Sequence, residues 1–308
     1  MSSPVDHQDA SIPKLPLWKT ICRAYSIFFD NFLDVLRASW LCIAVVVPLS
    51  MITQWIQLSW ALKAMAGARP WLASQTPFPP PPPSAPIGMM VLVYASGLLA
   101  LLAGVSIAVA WHRHIILGER PGLSGSNVAT ISFWRYVAVG IALFLIALLP
   151  LLIGFLFLAP FAAAGGLKIQ IWWVMVPLLF YLVAIAIMLR LILLLPARAA
   201  GNWSPTFRDS WNRTRGNTWR LFWGFVACIV PPGLLIQIVS LIIFSLNGPG
   251  PGTIGAPLPV DDAFLTRFTA ISAVIWAFYL LTTPIAVGFL SLSYLHFFDR
   301  PRTSGPNN

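Results

Sequence analysis

The sequence has few charged residues: Lys, Arg, Asp and Glu together make up 9% of its 308 residues. Soluble domains carry about 25%. Acidic residues are the scarcest, with nine Asp and Glu against nineteen Lys and Arg. Hydrophobic residues make up 58% of the chain, which exceeds the roughly 45–50% typical of soluble proteins. The composition therefore excludes a water-soluble or a disordered protein and predicts that lipid surrounds most of the chain.

Cysteine is also scarce. The three cysteines, Cys22, Cys42 and Cys228, are far apart and lie in or beside apolar stretches. An odd number of cysteines at such spacing fits neither a disulfide framework nor a zinc site. We interpret them as small buried hydrophobic residues, and the sequence predicts no metal site and no cofactor.

Long apolar stretches are abundant. A helix needs about 20 mostly apolar residues to cross the roughly 30 Å hydrocarbon core of a bilayer, and unpaired backbone cannot be left in lipid. The predicted spans are about 39–61, 87–111, 136–160, 171–195, 221–246 and 268–297. We therefore predict an all-α membrane protein whose six-helix transmembrane domain covers residues 17–298. A disordered cytoplasmic tail, 1–16, precedes this domain, and a second cytoplasmic tail, 299–308, follows it.

Basic residues are distributed unevenly between the two sides of these spans. With the N-terminus inside, fifteen Lys and Arg fall on the cytoplasmic side and four on the other. The four on the outer side are Lys63, Arg69, Lys168 and Arg267. Because short cytoplasmic loops accumulate Lys and Arg, we predict that both termini lie in the cytoplasm.

A pattern recurs three times along the chain. Each odd-numbered span contains a proline, at Pro48, at Pro150 and at Pro231. An aromatic-rich stretch precedes each of these spans, with Trp18, Tyr25, Phe28, Phe29 and Phe32, then Phe133, Trp134 and Tyr136, then Phe207, Trp211 and Trp219. The simplest account is three repeats of an interfacial helix followed by a transmembrane hairpin.

The clearest interfacial helix is predicted over residues 205–220. Ser204 is a suitable N-cap, and Pro205 suits the first helical turn, where a missing N–H costs nothing. Gly216 weakens the middle of the helix and predicts a bend or a break there. Aromatic side chains and arginines share this segment, as is typical of a helix lying in the headgroup layer. We interpret it either as an anchor that orients the spans or as a regulatory, lipid-sensing element.

Arg190 is the one charged residue embedded in a predicted span. At a helix centre an arginine would cost about 2.5–3.5 kcal/mol, but Arg190 lies six residues before Pro196, about 9 Å along the axis. It is either a snorkelling structural arginine or one that faces the bundle to bind a phosphate or a helix C-terminus. The predicted lipid- or partner-binding residues are Arg190, Arg208, Trp211, Arg213, Arg215 and Arg220.

The remaining polar residues in the spans give no catalytic constellation. None of the nine Asp and Glu lies within a predicted span, and no phosphate loop, nucleophile elbow or HExxH helix occurs. We therefore predict no catalytic residue and no enzyme activity. His112 and His114 project about 200° apart on a helix, so we interpret them as interface histidines that contact headgroups. Three glutamines either bridge neighbouring helices or line a cavity: Gln54, Gln57 and Gln237.

Two segments carry a resemblance. In residues 189–222 a span with an arginine ends in a proline, and a Ser-Trp and a Thr-Arg-Gly stretch follow. Residues 111–121, WHRHIILGERP, form a second shared segment. The chain resembles bacterial inner-membrane proteins related to the membrane domain of glycerophosphodiester phosphodiesterases and to YciC-type proteins, which mostly lack an assigned function. Arg198, Ala199 and Ala200 stand where that family often has an acid. The resemblance implies no phosphodiesterase activity, because the catalytic domain has no counterpart here.

These observations favour two functions from different classes. The first is a non-enzymatic inner-membrane protein that acts as an envelope or lipid-associated scaffold, an accessory subunit or a regulator, and presents basic interfacial helices to anionic lipid. The alternative is a permease for a small or lipidic anionic solute, with Arg190 holding the anion. The predicted partners are anionic membrane lipids and a membrane-protein partner or second copy of the chain. Nucleic acid is not a predicted partner.

Overall fold

The computed structural model describes residues 13–74, 84–122, 126–163, 170–247 and 262–298. These residues form helices and connecting turns, with no strand among them. The helices are α1 (Leu17–Asp30), α2 (Phe32–Ser74), α3 (Ile87–Leu117), α4 (Ile131–Ala163), α5 (Gln170–Leu191), α6 (Leu194–Ala199), α7 (Phe207–Arg213), α8 (Thr218–Asn247) and α9 (Asp262–Phe298). The predicted all-α class is confirmed.

Six helical segments of the described chain are long and apolar enough to cross a bilayer. They are Phe32–Ala64, Ile87–Leu117, Ile131–Gly154, Met175–Ala199, Thr218–Ile243 and Leu265–Phe298. Each predicted span falls within one described helix, except that 171–195 is divided between α5 and α6. The chain is therefore a multi-pass membrane protein with six candidate spanning segments.

The break between α5 and α6 has a local cause. Pro196 has no backbone N–H and cannot donate to the carbonyl of Ile192, its partner one turn earlier. That carbonyl instead accepts a hydrogen bond from the N–H of Leu195 at 3.0 Å. The tighter turn ends α5 at Leu191, and a separate short helix begins at Leu194 with Pro196 in its first turn.

The helices pack as three hairpins, and α9 contacts more than one of them. The pairs α2 with α3, α4 with α5 and α8 with α9 are in contact, and α9 also contacts α1, α2 and α3. The α4–α5 hairpin joins the rest mainly through α6 and α3. The largest fully buried side chains include Trp111, Phe133, Phe289, Leu193 and Leu221. Because these five residues belong to five different segments, the core ties all three hairpins together.

The contact between α8 and α9 requires a glycine. The ring of Phe289 on α9 occupies the space in which a Cβ at Gly224 on α8 would lie. Phe289 is fully buried, so its ring has little freedom to move aside. Gly224 therefore permits the close approach of these two helices.

The segments before the three hairpins differ in length. The first is α1 with fourteen residues, and the last is α7 with seven. Before α4 the described residues contain a 3-10 helix, Ser126–Ala129. Phe133, Trp134 and Tyr136 lie in the first turns of α4 itself, because the Thr130 hydroxyl accepts the N–H of Phe133 and starts the helix there. This differs from the predicted interfacial helix before the third span.

Part of the predicted N-terminal tail is anchored in the core. Leu15 is fully buried, and its N–H donates to Oδ1 of Asn217 at 2.9 Å. Asn217 Nδ2 donates to the carbonyl of Pro13 at 3.3 Å. The prediction of disorder over 1–16 is therefore wrong for residues 13–16. Residues 1–12 and 299–308, the rest of the two predicted tails, lie outside the described residues.

Candidate functional site

Most of the described arginines gather at one end of the bundle, which we call the basic end, whereas Arg267 lies near the start of α9, far from the α9 end that belongs to it. Hydrogen bonds join the helix ends that meet there. Arg113, near the end of α3, donates to the carbonyl of Ala199 at the end of α6 (3.3 Å) and forms a bidentate ion pair with Glu119. Arg213, at the end of α7, donates to the carbonyl of Phe297 at the end of α9 (2.8 Å). The basic end thus comprises the ends of α3, α6, α7 and α9. Further contacts add the end of α5, the starts of α4 and α8, and the start of α1 with the residues just before it.

Arg190 connects the end of α5 to α7. Its Nη2 donates to the backbone carbonyl of Trp211 at 2.8 Å, and its guanidinium carbon lies 3.7 Å from the centroid of the Trp211 ring. In return, the Ser210 hydroxyl donates to the carbonyl of Arg190 at 2.7 Å. The structure therefore brings Arg190 and Trp211 together, and Arg190 binds a carbonyl in the last turn of a helix, where a cation is favoured.

Arg213 and Arg220 are also engaged by backbone carbonyls. Arg213 binds the carbonyl of Phe297 and lies over the Phe298 ring at 4.6 Å. Arg220 Nη1 donates to the carbonyl of Leu15 at 2.7 Å. Such hydrogen bonds from a charged donor contribute about 1.5–3 kcal/mol each. These two arginines therefore hold the basic end together and have fewer donors left for a ligand.

Arg208 and Arg215 differ from the others. Both are exposed, and within the described part of the chain no hydrogen bond or ion pair involves either guanidinium. They lie on α7 and on the turn that follows it. Of the predicted binding residues, these two are the ones whose donors remain available to a ligand outside the protein.

The predicted helix over 205–220 is divided in the structure. It begins at Phe207 with Thr206, and not Ser204, as N-cap. Thr206 and Asp209 form a capping box, in which the threonine hydroxyl accepts the Asp209 N–H and the carboxylate accepts the Thr206 N–H. Ser204 has no acidic residue three positions later. The predicted break at Gly216 is confirmed, since its φ is +76°, and Trp219 and Arg220 belong to α8.

His112 is in the core and does not contact headgroups. Its side chain is fully buried, and Nδ1 lies 2.7 Å from Oγ of Ser291. The Ser291 Oγ also lies 2.9 Å from the carbonyl of Val287. The prediction for His112 is wrong because its face of α3 packs on α9. His114 instead contacts the carbonyl of Glu119.

The three predicted glutamines do not share one environment. Gln54 and Gln57 line a cavity of about 190 Å³ together with Ser50, Ser96 and Trp276. This cavity lies among α2, α3 and α9. Gln237, by contrast, is exposed on α8 and is not among the residues that line it. The pair on α2 thus fits the cavity-lining role, and Gln237 faces the surroundings of the bundle.

A larger cavity of about 520 Å³ lies among α3, α8 and α9, where Tyr136 and Leu195 also line it. No Lys, Arg, His, Asp or Glu is among its lining residues. Its lining runs from Leu290 to Tyr279 on α9, which is about 16 Å at 1.5 Å per residue. The space suits a hydrocarbon group and offers no counter-charge to an ion.

One group of residues at the basic end has no counterpart in the sequence analysis. The guanidinium carbons of Arg135 and Arg198 lie 3.6 Å and 5.2 Å from the centroid of the Trp203 ring. We call these three residues the Arg–Trp–Arg cluster. Their positions along the chain are up to 68 apart, so no local pattern indicates that they meet. A weak signal is present, because each arginine lies near a predicted helix end.

The described residues contain no group of three or more His, Cys, Asp or Glu that could hold a metal ion. The arrangement at the basic end is therefore one of guanidinium groups, indole rings and backbone carbonyls, with Glu119 and Asp209 engaged locally. Guanidinium groups of this kind are suited to anionic ligands. No family model, curated protein or solved structure matches this chain.

Proposed function

We propose that this chain is a non-enzymatic protein of the bacterial inner membrane, with both termini in the cytoplasm, that acts as a lipid-associated scaffold, accessory subunit or regulator. The observation that carries the proposal is that the arginines at the basic end fall into two groups with different contacts. Some of them bind backbone carbonyls and assemble the end, while Arg208 and Arg215 project outward. The resemblance to YciC-type proteins stays a prediction.

The exposed cations have the surroundings of a membrane surface. On α1 and just before it, Lys14, Lys19 and Arg23 are exposed. Trp18 on α1 and Trp219 on α8 are 74% and 67% exposed, although water strongly disfavours such large apolar surfaces. An indole ring beside cations is typical of the headgroup layer. The basic end would thus lie against anionic headgroups, at about 1 kcal/mol per cation near the surface.

Vesicle binding tests this proposal. The protein is reconstituted in phosphatidylcholine nanodiscs, and its association with phosphatidylglycerol vesicles is measured at low and high salt. The double variant Arg208→Gln with Arg215→Gln should bind about tenfold or more weakly at low salt, and the difference should shrink at high salt because salt screens exposed charges.

The matched control is Lys63→Gln, an exposed cation on α2 that belongs to the opposite side in the predicted topology. This variant should bind vesicles as the unaltered protein does. Unchanged binding of the double variant, or an equal loss in the control, would overturn the proposal that the basic end meets the lipid surface.

A second candidate is a permease for a lipidic anionic solute, and the larger cavity favours it. Its charge-free lining suits an apolar moiety better than a small ion. Gly104 and Gly233 line this cavity, and a Cβ at either would meet no atom within 4 Å. Filling the space with Gly104→Leu should therefore abolish uptake of a fluorescent lipidic anion into proteoliposomes, while Gly88→Leu, outside the lining, should not. Equal uptake by both would remove this candidate.

A further inference from the structure

We propose that the Arg–Trp–Arg cluster, Arg135, Trp203 and Arg198, binds the phosphate of one anionic phospholipid. This site is separate from Arg208 and Arg215. It rests on the proposed placement of the basic end in the headgroup layer. It adds one specific lipid-binding site to the general attraction between the basic end and anionic headgroups.

The geometry of the cluster brings two like charges to one indole ring. Arg135 lies 3.6 Å and Arg198 5.2 Å from the centroid of Trp203, both within the roughly 6 Å range of a cation–π contact. Two guanidinium groups this close to one ring repel each other unless an anion lies between or beside them. The protein thus holds two cations together where repulsion alone would separate them.

The position of Arg198 is fixed by the loop that carries the tryptophan. Its Nη1 donates to the carbonyl of Asn202 at 2.7 Å and its Nη2 to that of Pro205 at 2.8 Å. Asn202 Nδ2 in turn donates to the hydroxyl of Tyr294 on α9 at 2.9 Å. Gly201, with φ at +77°, allows the chain to turn back after α6. Trp203 and Arg198 are therefore held in one orientation before any ligand binds.

Arg135 supplies the donors. Its side chain is exposed, and among the described residues its guanidinium makes no hydrogen bond and no ion pair. Stacking on Trp203 occupies only the face of the guanidinium plane and leaves its edge, which carries the N–H groups, open. A guanidinium edge is suited to phosphate because two parallel N–H groups match two phosphate oxygens.

Among the described residues, neither Glu119 nor Asp209 forms an ion pair with Arg135 or Arg198. Glu119 accepts two hydrogen bonds from Arg113 at 2.7 Å and 2.8 Å. Asp209, on α7, is bound by the hydroxyl and the N–H of Thr206. The charge on Arg135 and Arg198 therefore remains for an external anion.

The surroundings select a lipid over a soluble phosphate. Ile131 and Trp134, in the same turns of α4 as Arg135, are 66% and 54% exposed. Trp203 itself is 45% exposed. Apolar side chains on either side of a cation fit a ligand whose charged group is attached to hydrocarbon. A free anion would gain nothing from them.

Native mass spectrometry of the full chain tests the site. The protein is titrated in neutral detergent with phosphatidylglycerol, with phosphatidylcholine and, in a separate arm, with glycerol phosphate. We expect one tightly retained phosphatidylglycerol. Arg135→Gln should weaken its binding about tenfold, because the paired, charge-assisted hydrogen bonds from one guanidinium are lost. Arg135→Lys keeps the charge but lacks the paired N–H groups of a guanidinium, so it should weaken phosphatidylglycerol binding by an intermediate amount.

The matched control is Lys63→Gln, an exposed cation on α2 outside the basic end, which should retain the tight lipid as the unaltered protein does. If Arg135→Gln lowers the unfolding temperature, Arg135→Lys carries the test, because it preserves the charge next to the ring. Equal phosphatidylglycerol affinity in the unaltered protein and the Arg135 variants would overturn the site. Equal affinity for glycerol phosphate would overturn its assignment to lipid.

The two proposals fail in different ways. Loss of the tight lipid in Arg135→Gln with normal vesicle binding supports the site whatever the role of Arg208. The reverse pattern, in which only the Arg208 and Arg215 variant is affected, removes the site and leaves the proposed function standing.

Discussion

Arg190 and Trp211 contact each other through both side chain and backbone. The guanidinium carbon lies 3.7 Å from the indole centroid, and Nη2 donates to the tryptophan carbonyl at 2.8 Å. Thr214 adds a longer hydrogen bond to the carbonyl of Arg190 at 3.3 Å, beside that from Ser210 at 2.7 Å. The break after α5 leaves this carbonyl without a helical partner, so α7 satisfies it. The arginine in the span is therefore the connection between a spanning helix and the surface helix.

Replacing Arg190 tests this connection. Arg190→Ala removes a charged hydrogen bond and a cation–π contact and should destabilise the protein by about 1–3 kcal/mol. Thermal unfolding in detergent measures the loss, and the amount of protein in the membrane should fall with it. Arg208→Ala, with no bound carbonyl, serves as the control and should unfold as the unaltered protein does. Unchanged stability of Arg190→Ala would show that the contact is dispensable.

Two glycines on α8 form a matched pair for packing. A Cβ at Gly224 would overlap the Phe289 ring, whereas a Cβ at Gly233 would meet no atom within 4 Å. Gly224→Ala should therefore destabilise the protein by about 1–3 kcal/mol, as overpacking of a core does. Gly233→Ala should be neutral or slightly stabilising, because alanine favours the helix. Equal unfolding temperatures for the two variants would contradict the described contact between α8 and α9.

Asn217 anchors the residues before α1. Its side chain is buried and contacts both Leu15 and Pro13. Asn217→Ala leaves the buried N–H of Leu15 without a partner, at a cost of about 1–3 kcal/mol. We expect lower stability and faster proteolysis before α1, read by mass spectrometry of the fragments. Asn212→Ala, at an exposed position on α7, should change neither, and proteolysis of both variants at the same rate would contradict the anchor.

Acid should loosen the start of α7. Hydrogen bonds from the Thr206 hydroxyl and N–H hold the pKa of the Asp209 carboxyl below its ordinary value. A lowered folded-state pKa means that the cap stabilises α7 fully above the ordinary value and is lost as the pH falls through the lowered one. Hydrogen exchange of α7 amides, corrected for intrinsic rates, should show this step below about pH 4. Asp209→Asn should remove the step, and its persistence in that variant would contradict the assignment.

Hydropathy predicted the spanning helices because each depends on its own composition and on the thickness of the bilayer. The break at Gly216 was also predictable, because a glycine weakens a helix at its own position. The capping box was also available in the sequence as Thr206 followed by Asp209 three residues later. Ser204 fits an N-cap by its place before a proline, but it lacks an acidic residue three positions later.

The contacts at the basic end could not be predicted in this way. Leu15 meets Asn217 across 202 residues, and Arg135 meets Trp203 across the whole α4–α5 hairpin. Such pairs follow from how the hairpins pack, which composition does not specify. The burial of His112 could not be predicted either, because it results from the packing of α3 on α9, where His112 contacts Ser291.

We propose above that the basic end faces the cytoplasmic leaflet, and the side from which Arg208 is accessible tests this. An Arg208→Cys variant is labelled with a maleimide that cannot cross membranes. The variant also carries Cys22→Ser, because Cys22 is the exposed one of the three cysteines. We expect labelling in inverted inner-membrane vesicles and none in right-side-out spheroplasts, with the opposite result for Lys63→Cys. Labelling of the Arg208→Cys variant from outside intact spheroplasts would contradict the proposal.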